Sequence, residues 1–199
     1  MRLVLATKNF GKVVEFRRIL EELGGENLEV VGLDEFPEIG EIEETGSTFE
    51  ENALLKARTI TKLTGLPALA DDSGICVDAL GGAPGLYSAR YSGNGDVANN
   101  EKLLKEMKDV PDENRSAYFI CVAAYVRPDG FERVEEGRFY GKILHQAIGS
   151  GGFGYDPLFQ PEGMNCSSAE LSAEQKDAIS HRGKAMRAIA PFIISKKIG

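Results

Sequence analysis

Two histidines and three cysteines are all that the chain has of the residues that build zinc sites and disulfide frameworks. Cys76, Cys121 and Cys166 are widely spaced, odd in number and form no Cys-x-x-Cys pair. This argues against both devices and fits a reducing cytoplasm. Long apolar runs are missing too. The first, at residues 3–6, is far too short for a signal-peptide core, and nothing approaches the ~20 apolar residues that span a bilayer. The expectation is a cytoplasmic protein with no membrane partner. Nor is positive charge in excess: 23 Lys and Arg against 31 Asp and Glu leave a formal net charge of −8. Long nucleic acid calls for a basic face, so polymeric DNA or RNA is not an expected partner. A single nucleotide still is, if a few cations converge on one pocket. What the chain does have, 42% hydrophobic and 27% charged among 199 residues, suits one domain over 1–199 with a sizeable core.

Residues 3–6 read as a short buried strand. Asn9 is a fitting N-cap for the next helix, whose apolar face carries Val13, Phe16, Leu20 and Leu23, with Gly24-Gly25 to stop it. Residues 28–33 form a second strand, and an acidic stretch follows at 38–44. Ser47-Thr48-Phe49-Glu50 has the form of a capping box opening a helix to about residue 64, with Phe49, Ala53, Ala57 and Ile60 buried. Residues 67–70 form a short strand ending at Asp71-Asp72-Ser73-Gly74, and 75–80 read as strand or loop. Residues 81–95 are loop and 97–107 helix. Residues 117–127 and 131–140 pair as a hairpin across Pro128-Asp129-Gly130. A loop at 149–156 precedes a helix capped by Ser172, and a last helix spans 183–195. The fold class is α/β or α+β with a mixed sheet, in two lobes.

Four segments carry chemistry. Thr7-Lys8-Asn9-Phe10-Gly11-Lys12 joins a strand to a helix start, whose N–H groups and dipole suit a phosphate, and Lys12 adds a full charge. Asp71 and Asp72, read at a strand end, repel one another unless a cation is present. Mg²⁺ favours one or two carboxylates plus phosphate oxygens, and the 41–44 cluster with Glu43 and Glu44 can add a ligand. Residues 149–154 match G-x-G-x-x-G, but Pro157 follows where the dinucleotide fingerprint needs a helix, so that reading fails. What remains is a glycine loop presenting Phe153 and Tyr155, able to cover a flat base or to join the core. Lys176, His181 and Arg182 cluster at a helix break with Ser180 as cap, and offer donors.

In order along the chain stand Thr7-x-Asn9-x-x-Lys12-x-x-Glu15, Ser47-x-Phe49-x-Glu51-Asn52-Ala53, Ala70-Asp71-Asp72-Ser73-Gly74, Gly81-Gly82-Ala83-Pro84-Gly85-Leu86-Tyr87-Ser88-Ala89-Arg90, Gly152-Phe153-Gly154-Tyr155-Asp156-Pro157 and Ser180-His181-Arg182-Gly183. These six blocks resemble the inosine triphosphate pyrophosphatase family over nearly the whole chain. The resemblance implies Mg²⁺-dependent cleavage of ITP, dITP and XTP to monophosphate and pyrophosphate. It also implies an α/β homodimer with a mixed central sheet flanked by helices and a nucleotide cleft between two lobes. Carried over, Thr7, Lys8, Asn9, Phe10, Gly11 and Lys12 hold the triphosphate. Asp72 is the proton acceptor and, with Glu43 or Glu44, organises metal. Ser73 contacts substrate. Phe153, Gly154, Tyr155, Asp156, Lys176, His181 and Arg182 surround base and sugar. A non-catalytic nucleotide sensor is the alternative that the same residues allow.

Overall fold

The structure, a computed structural model, describes residues 1–24 and 28–194. Its strands are β1 (Arg2–Leu5), β2 (Glu29–Val31), β3 (Ala68–Val77), β4 (Ser116–Val126), β5 (Glu132–Ile143) and β6 (Phe159–Pro161). They form one sheet in the order β2-β1-β3-β4-β5-β6. β1 runs parallel to both neighbours, with Leu3 opposite Val30 and Leu5 opposite Leu69. β6 runs antiparallel to β5. The sheet is therefore mixed, as expected. Among the described residues five α-helices accompany it: α1 (Phe10–Glu22), α2 (Phe49–Thr64), α3 (Gly95–Glu106), α4 (Ala173–Ile179) and α5 (His181–Ile194). None of the described helices is long and apolar enough to cross a membrane.

The chain divides into two compact units, each assembled from separate segments. The first comprises Met1–Asp72, Cys121–Gly137 and the segment from Arg182 onward. Its core sets Phe16, Ile19 and Leu20 of α1 and Ala185, Met186, Ile189 and Ile193 of α5 on Leu3, Leu5, Leu69, Ala123 and Tyr125 of the strands. Three- and four-residue steps put each helical set on one face. Of the face expected on α1, Phe16 and Leu20 are fully buried while Val13 and Leu23 lie at its edge. Gly25 and Ser195, expected near helix ends, lie outside the described residues.

The second unit comprises Ser73–Ile120 and Arg138–His181. Ile75 and Val77, Phe119, Phe139 and Ile143 line its core with Leu103, Met107, Tyr155, Leu158 and Phe159. Arg115, buried there, donates to the carbonyls of Met107, Val110, Ile143 and Leu144. Four main-chain oxygens thus satisfy a buried guanidinium.

Two expectations about local structure need correction. The strand at 67–70 does not end at Asp71: β3 continues through both aspartates to Val77. A buried strand tolerates two carboxylates because Lys12, Arg182 and Lys56 surround them, as described below. The helix at 49–64 is capped by Thr48, not Ser47. Thr48 Oγ1 accepts from the N–H of Glu51, while Ser47 donates its N–H and hydroxyl to the Glu51 carboxylate. The N-cap bond is present, shifted by one residue, and the Glu51 carboxylate reaches back to the residue before the cap.

Candidate functional site

The first unit holds a charged cluster built on β1, β3 and the helices α1, α2 and α5. The chain leaves β1 through Thr7, whose hydroxyl accepts from the N–H of Asn9. Asn9 caps α1 by accepting from the N–H of Lys12 at 3.1 Å. This turn aims the Lys12 side chain back along the sheet, where Nζ donates to Asp71 Oδ2 at 2.8 Å. Lys8, Asn9 and Phe10 stay exposed, Phe10 at 80%. Arg182, in the first turn of α5, is buried with its guanidinium on Glu15 of α1 and its Nε 3.8 Å from Asp71. Burial, the largest influence on Asp71, works against its charge. Lys12, Arg182 and Lys56 overcome it and hold the carboxyl well below the usual carboxylate range. The Arg182 guanidinium is likewise disfavoured by burial but held charged by Glu15 and Asp71.

Asp72 has different partners. Successive strand residues point to opposite faces, so the two neighbouring acids make different direct contacts. Asn52 of α2 donates to Asp72 Oδ2 at 3.0 Å, and its own oxygen accepts from the N–H of Gly46 at 2.8 Å. One helical turn on, Lys56 lies 3.9 Å from Asp72 Oδ1 and donates to Glu44 at 2.5 Å. Burial pushes Asp72 up to about 6. Glu44 adds to this, while Lys56, Asn52 and Lys12 oppose it. Burial disfavours the Lys56 ammonium, yet Asp71, Asp72 and Glu44 together raise its proton affinity. Of the two adjacent acids expected as metal ligands, Glu44 is tied to Lys56 and acts on Asp72, whereas Glu43 is exposed.

The second unit carries a separate constellation. Asp156 Oδ2 accepts from the N–H of Phe153 at 2.9 Å and from Lys176 Nζ at 2.6 Å. A Cβ on Gly152 would sit 2.1 Å from that same oxygen, so only glycine allows the loop to close on the carboxylate. The Lys176 ammonium lies 5.0 Å from the centroid of the Phe153 ring, a cation–π arrangement. His181 is buried and stacks on Phe119 at 4.9 Å with 13° between planes. Tyr155 takes the other option open to it: it is buried in the core and its hydroxyl donates to the carbonyl of Ser88 at 2.7 Å.

The residues expected from sequence thus fall into two groups. Thr7 to Lys12, Asp72, Glu44 and Arg182 belong to the first unit, and Ser73, Phe153 to Asp156, Lys176 and His181 to the second. Arg182, expected beside base and sugar, has its guanidinium on Glu15 and Asp71. Lys56 was missed altogether. Its signal was available: it lies between Ala53 and Ala57 on the buried face of α2, and lysines are almost never buried without a partner.

This α/β protein thus sets, in its first unit, a lysine at a helix start beside buried carboxylates paired with cations, and, in its second, an aromatic ring against an ammonium. The model described as the Ham1 family matches residues 3–192, and the chain belongs to that family. The dITP/XTP pyrophosphatase of Streptomyces coelicolor is 54% identical over 194 residues, covering 96% of each chain. That of Pseudomonas syringae pv. tomato is 54% identical over 188 residues, 93% of each. Among solved structures, the Staphylococcus aureus Ham1 protein superposes with a TM-score of 0.85 at 40% identity, covering 97% of this chain and 98% of that one. The nucleoside-triphosphatase or dITP/XTP pyrophosphatase of Mycobacterium abscessus gives 0.77 at 47% identity, covering 96% and 100%.

Proposed function

We propose that this chain hydrolyses dITP, XTP and ITP to the nucleoside monophosphate and pyrophosphate, removing non-standard purine nucleotides from the nucleotide pool. The observation that carries the reading is Asp72, a buried carboxylate pushed up to about 6 and held by Asn52 beside Lys56 and Glu44. A carboxylate oriented by a fixed donor, with cations beside it, can accept a proton from an attacking water. Relatives named dITP/XTP pyrophosphatase, alike over nearly their whole length, support the substrate class.

A water oxygen attacks the α-phosphorus and Asp72 accepts the water's proton. The bond from that phosphorus to the oxygen bridging it to the β-phosphate breaks, and pyrophosphate leaves with the bond's electron pair. Asn52 orients the Asp72 carboxylate for this transfer, and Lys12 at the start of α1 neutralises charge on the departing phosphates. Phe153, with Lys176 and His181, recognises the base.

The residues present fit Mg²⁺. Asp72 and Glu44 offer only oxygen, and among the described residues no group of three or more His, Cys, Asp or Glu gathers to hold a metal. Two carboxylates with phosphate oxygens and water are the usual Mg²⁺ environment. When bound there, the ion supplies positive charge against the triphosphate and favours the ionised carboxylates. The family resemblance extends the reading to a homodimer, and three cysteines that form no disulfide among the described residues support a reducing, cytoplasmic setting.

A panel of dITP, ITP, XTP, ATP and GTP with Mg²⁺, followed by chromatography of the products, tests the proposal. Equimolar monophosphate and pyrophosphate from dITP and XTP, at kcat/KM well above ATP, is the expected result. Binding of dITP without turnover would make the protein a nucleotide sensor and overturn it.

A further inference from the structure

We infer that Asp96 and Asn100 of α3 are positioning residues for the Phe153 loop, and through it set the affinity for the base; the inference rests on the function proposed above. The two are four residues apart and therefore lie one above the other on a single helix face. Asp96 Oδ2 accepts from the N–H of Gly154 at 2.9 Å, and Asn100 Nδ2 donates to the carbonyl of Gly154 at 3.0 Å. The peptide groups on both sides of Gly154 are thus held by one face of one helix.

Gly154 has φ +62°, the left-handed region, while a Cβ there would meet nothing within 4 Å. Glycine serves the backbone turn rather than close packing, and the turn brings both of its peptide groups to α3. The Phe153 N–H on the other side is held by Asp156, whose carboxylate also holds Lys176. Phe153 therefore stands between two polar anchors. Its ring faces the Lys176 ammonium with only the side-chain torsions left to vary.

The core does not require the α3 grip. Tyr155 and Leu158 already bury the downstream part of the loop, and Tyr155 is tied to Ser88 by its hydroxyl. Asp96 is exposed, so its carboxylate adds little to core packing. Its bond to a loop amide is charge-assisted and short enough to set geometry. What the pair determines is the place of the Phe153–Gly154 peptide, and hence of the ring that covers the base.

Asp96→Ala, Asn100→Ala and Asp96→Asn separate this role from a structural one. Asparagine at 96 keeps an oxygen that can accept from Gly154. For both alanine variants, KM for dITP should rise on the order of tenfold while kcat stays within about twofold. Inhibition by dIMP, which carries the base, should weaken by the same factor. Inhibition by pyrophosphate, which lacks it, should be unchanged, and Asp96→Asn should recover close to wild-type values. If both inhibitors weaken together, or KM does not move, the inference is overturned. Should Asp96→Ala fail to fold, Asn100→Ala and Asp96→Asn decide the matter by the same ratio of inhibition constants. Wild-type protein that leaves dITP intact would overturn the proposed function and this inference with it. Active wild type with unchanged variants would overturn this inference alone.

Discussion

Replacing Asp72 by asparagine should abolish turnover and, in the absence of metal, make the protein more stable. The carboxyl ordinarily titrates at 3.8 and is pushed up to about 6 in the folded chain, chiefly by burial. Between those values the folded state binds more protons than the unfolded state. Stability therefore falls as pH rises through that window, and the full penalty stands above about pH 6. A shift of about two units corresponds to ~3 kcal/mol at pH 7.5, taken as an upper bound. Asparagine carries no charge to desolvate, and its oxygen can still accept from Asn52. For a chain of this size, ~3 kcal/mol is worth roughly 6–12 °C in Tm. Thermal denaturation of wild type and Asp72→Asn in EDTA, from pH 4 to 8, reads the difference directly. The variant's advantage should be near zero at pH 4, grow to about pH 6.5 and then level off. Mg²⁺ should stabilise the wild type more than the variant and narrow the gap. The loss in kcat should be on the order of 10²–10⁴-fold. A variant that is less stable than wild type at pH 7.5 without metal, or a gap independent of pH, would refute the electrostatic account of Asp72.

Chelation should eliminate activity while the circular dichroism spectrum stays native, and added Mg²⁺ should restore turnover; full activity in excess EDTA would contradict the oxygen-only metal site. Arg182→Ala takes the buried guanidinium away from Glu15 and Asp71, so it should cost about 3–5 kcal/mol in urea denaturation. An Arg182→Ala protein of wild-type stability would show that the buried network is not holding α1 to α5.

Much of this architecture was legible in local pattern. Asn9 before Val13, Phe16 and Leu20 announced α1. Ser172 three residues before Gln175 announced α4, and both capping bonds are present. These signals are local because a cap and an apolar face depend on neighbours within one or two turns. The ordered motif blocks identified the family for a similar reason: side-chain chemistry at fixed chain spacing survives without knowledge of the fold.

Local pattern failed where partners come from far along the chain. The run 67–70 looked finished at Asp71 because charges rarely continue a buried strand. Only the folded unit brings Lys12 and Arg182 to Asp71, and Asn52 and Lys56 to Asp72, letting β3 run on to Val77. The same limit hid the pairing of Arg182 with Glu15 and Asp71, which are 167 and 111 positions away in the chain. Residue identity and spacing determined the helices, the family and the list of reactive groups. Which acid is cold and which is warm to protons, and which lysine serves which acid, depends on burial and on distances between segments remote in sequence, and these only the tertiary structure decided.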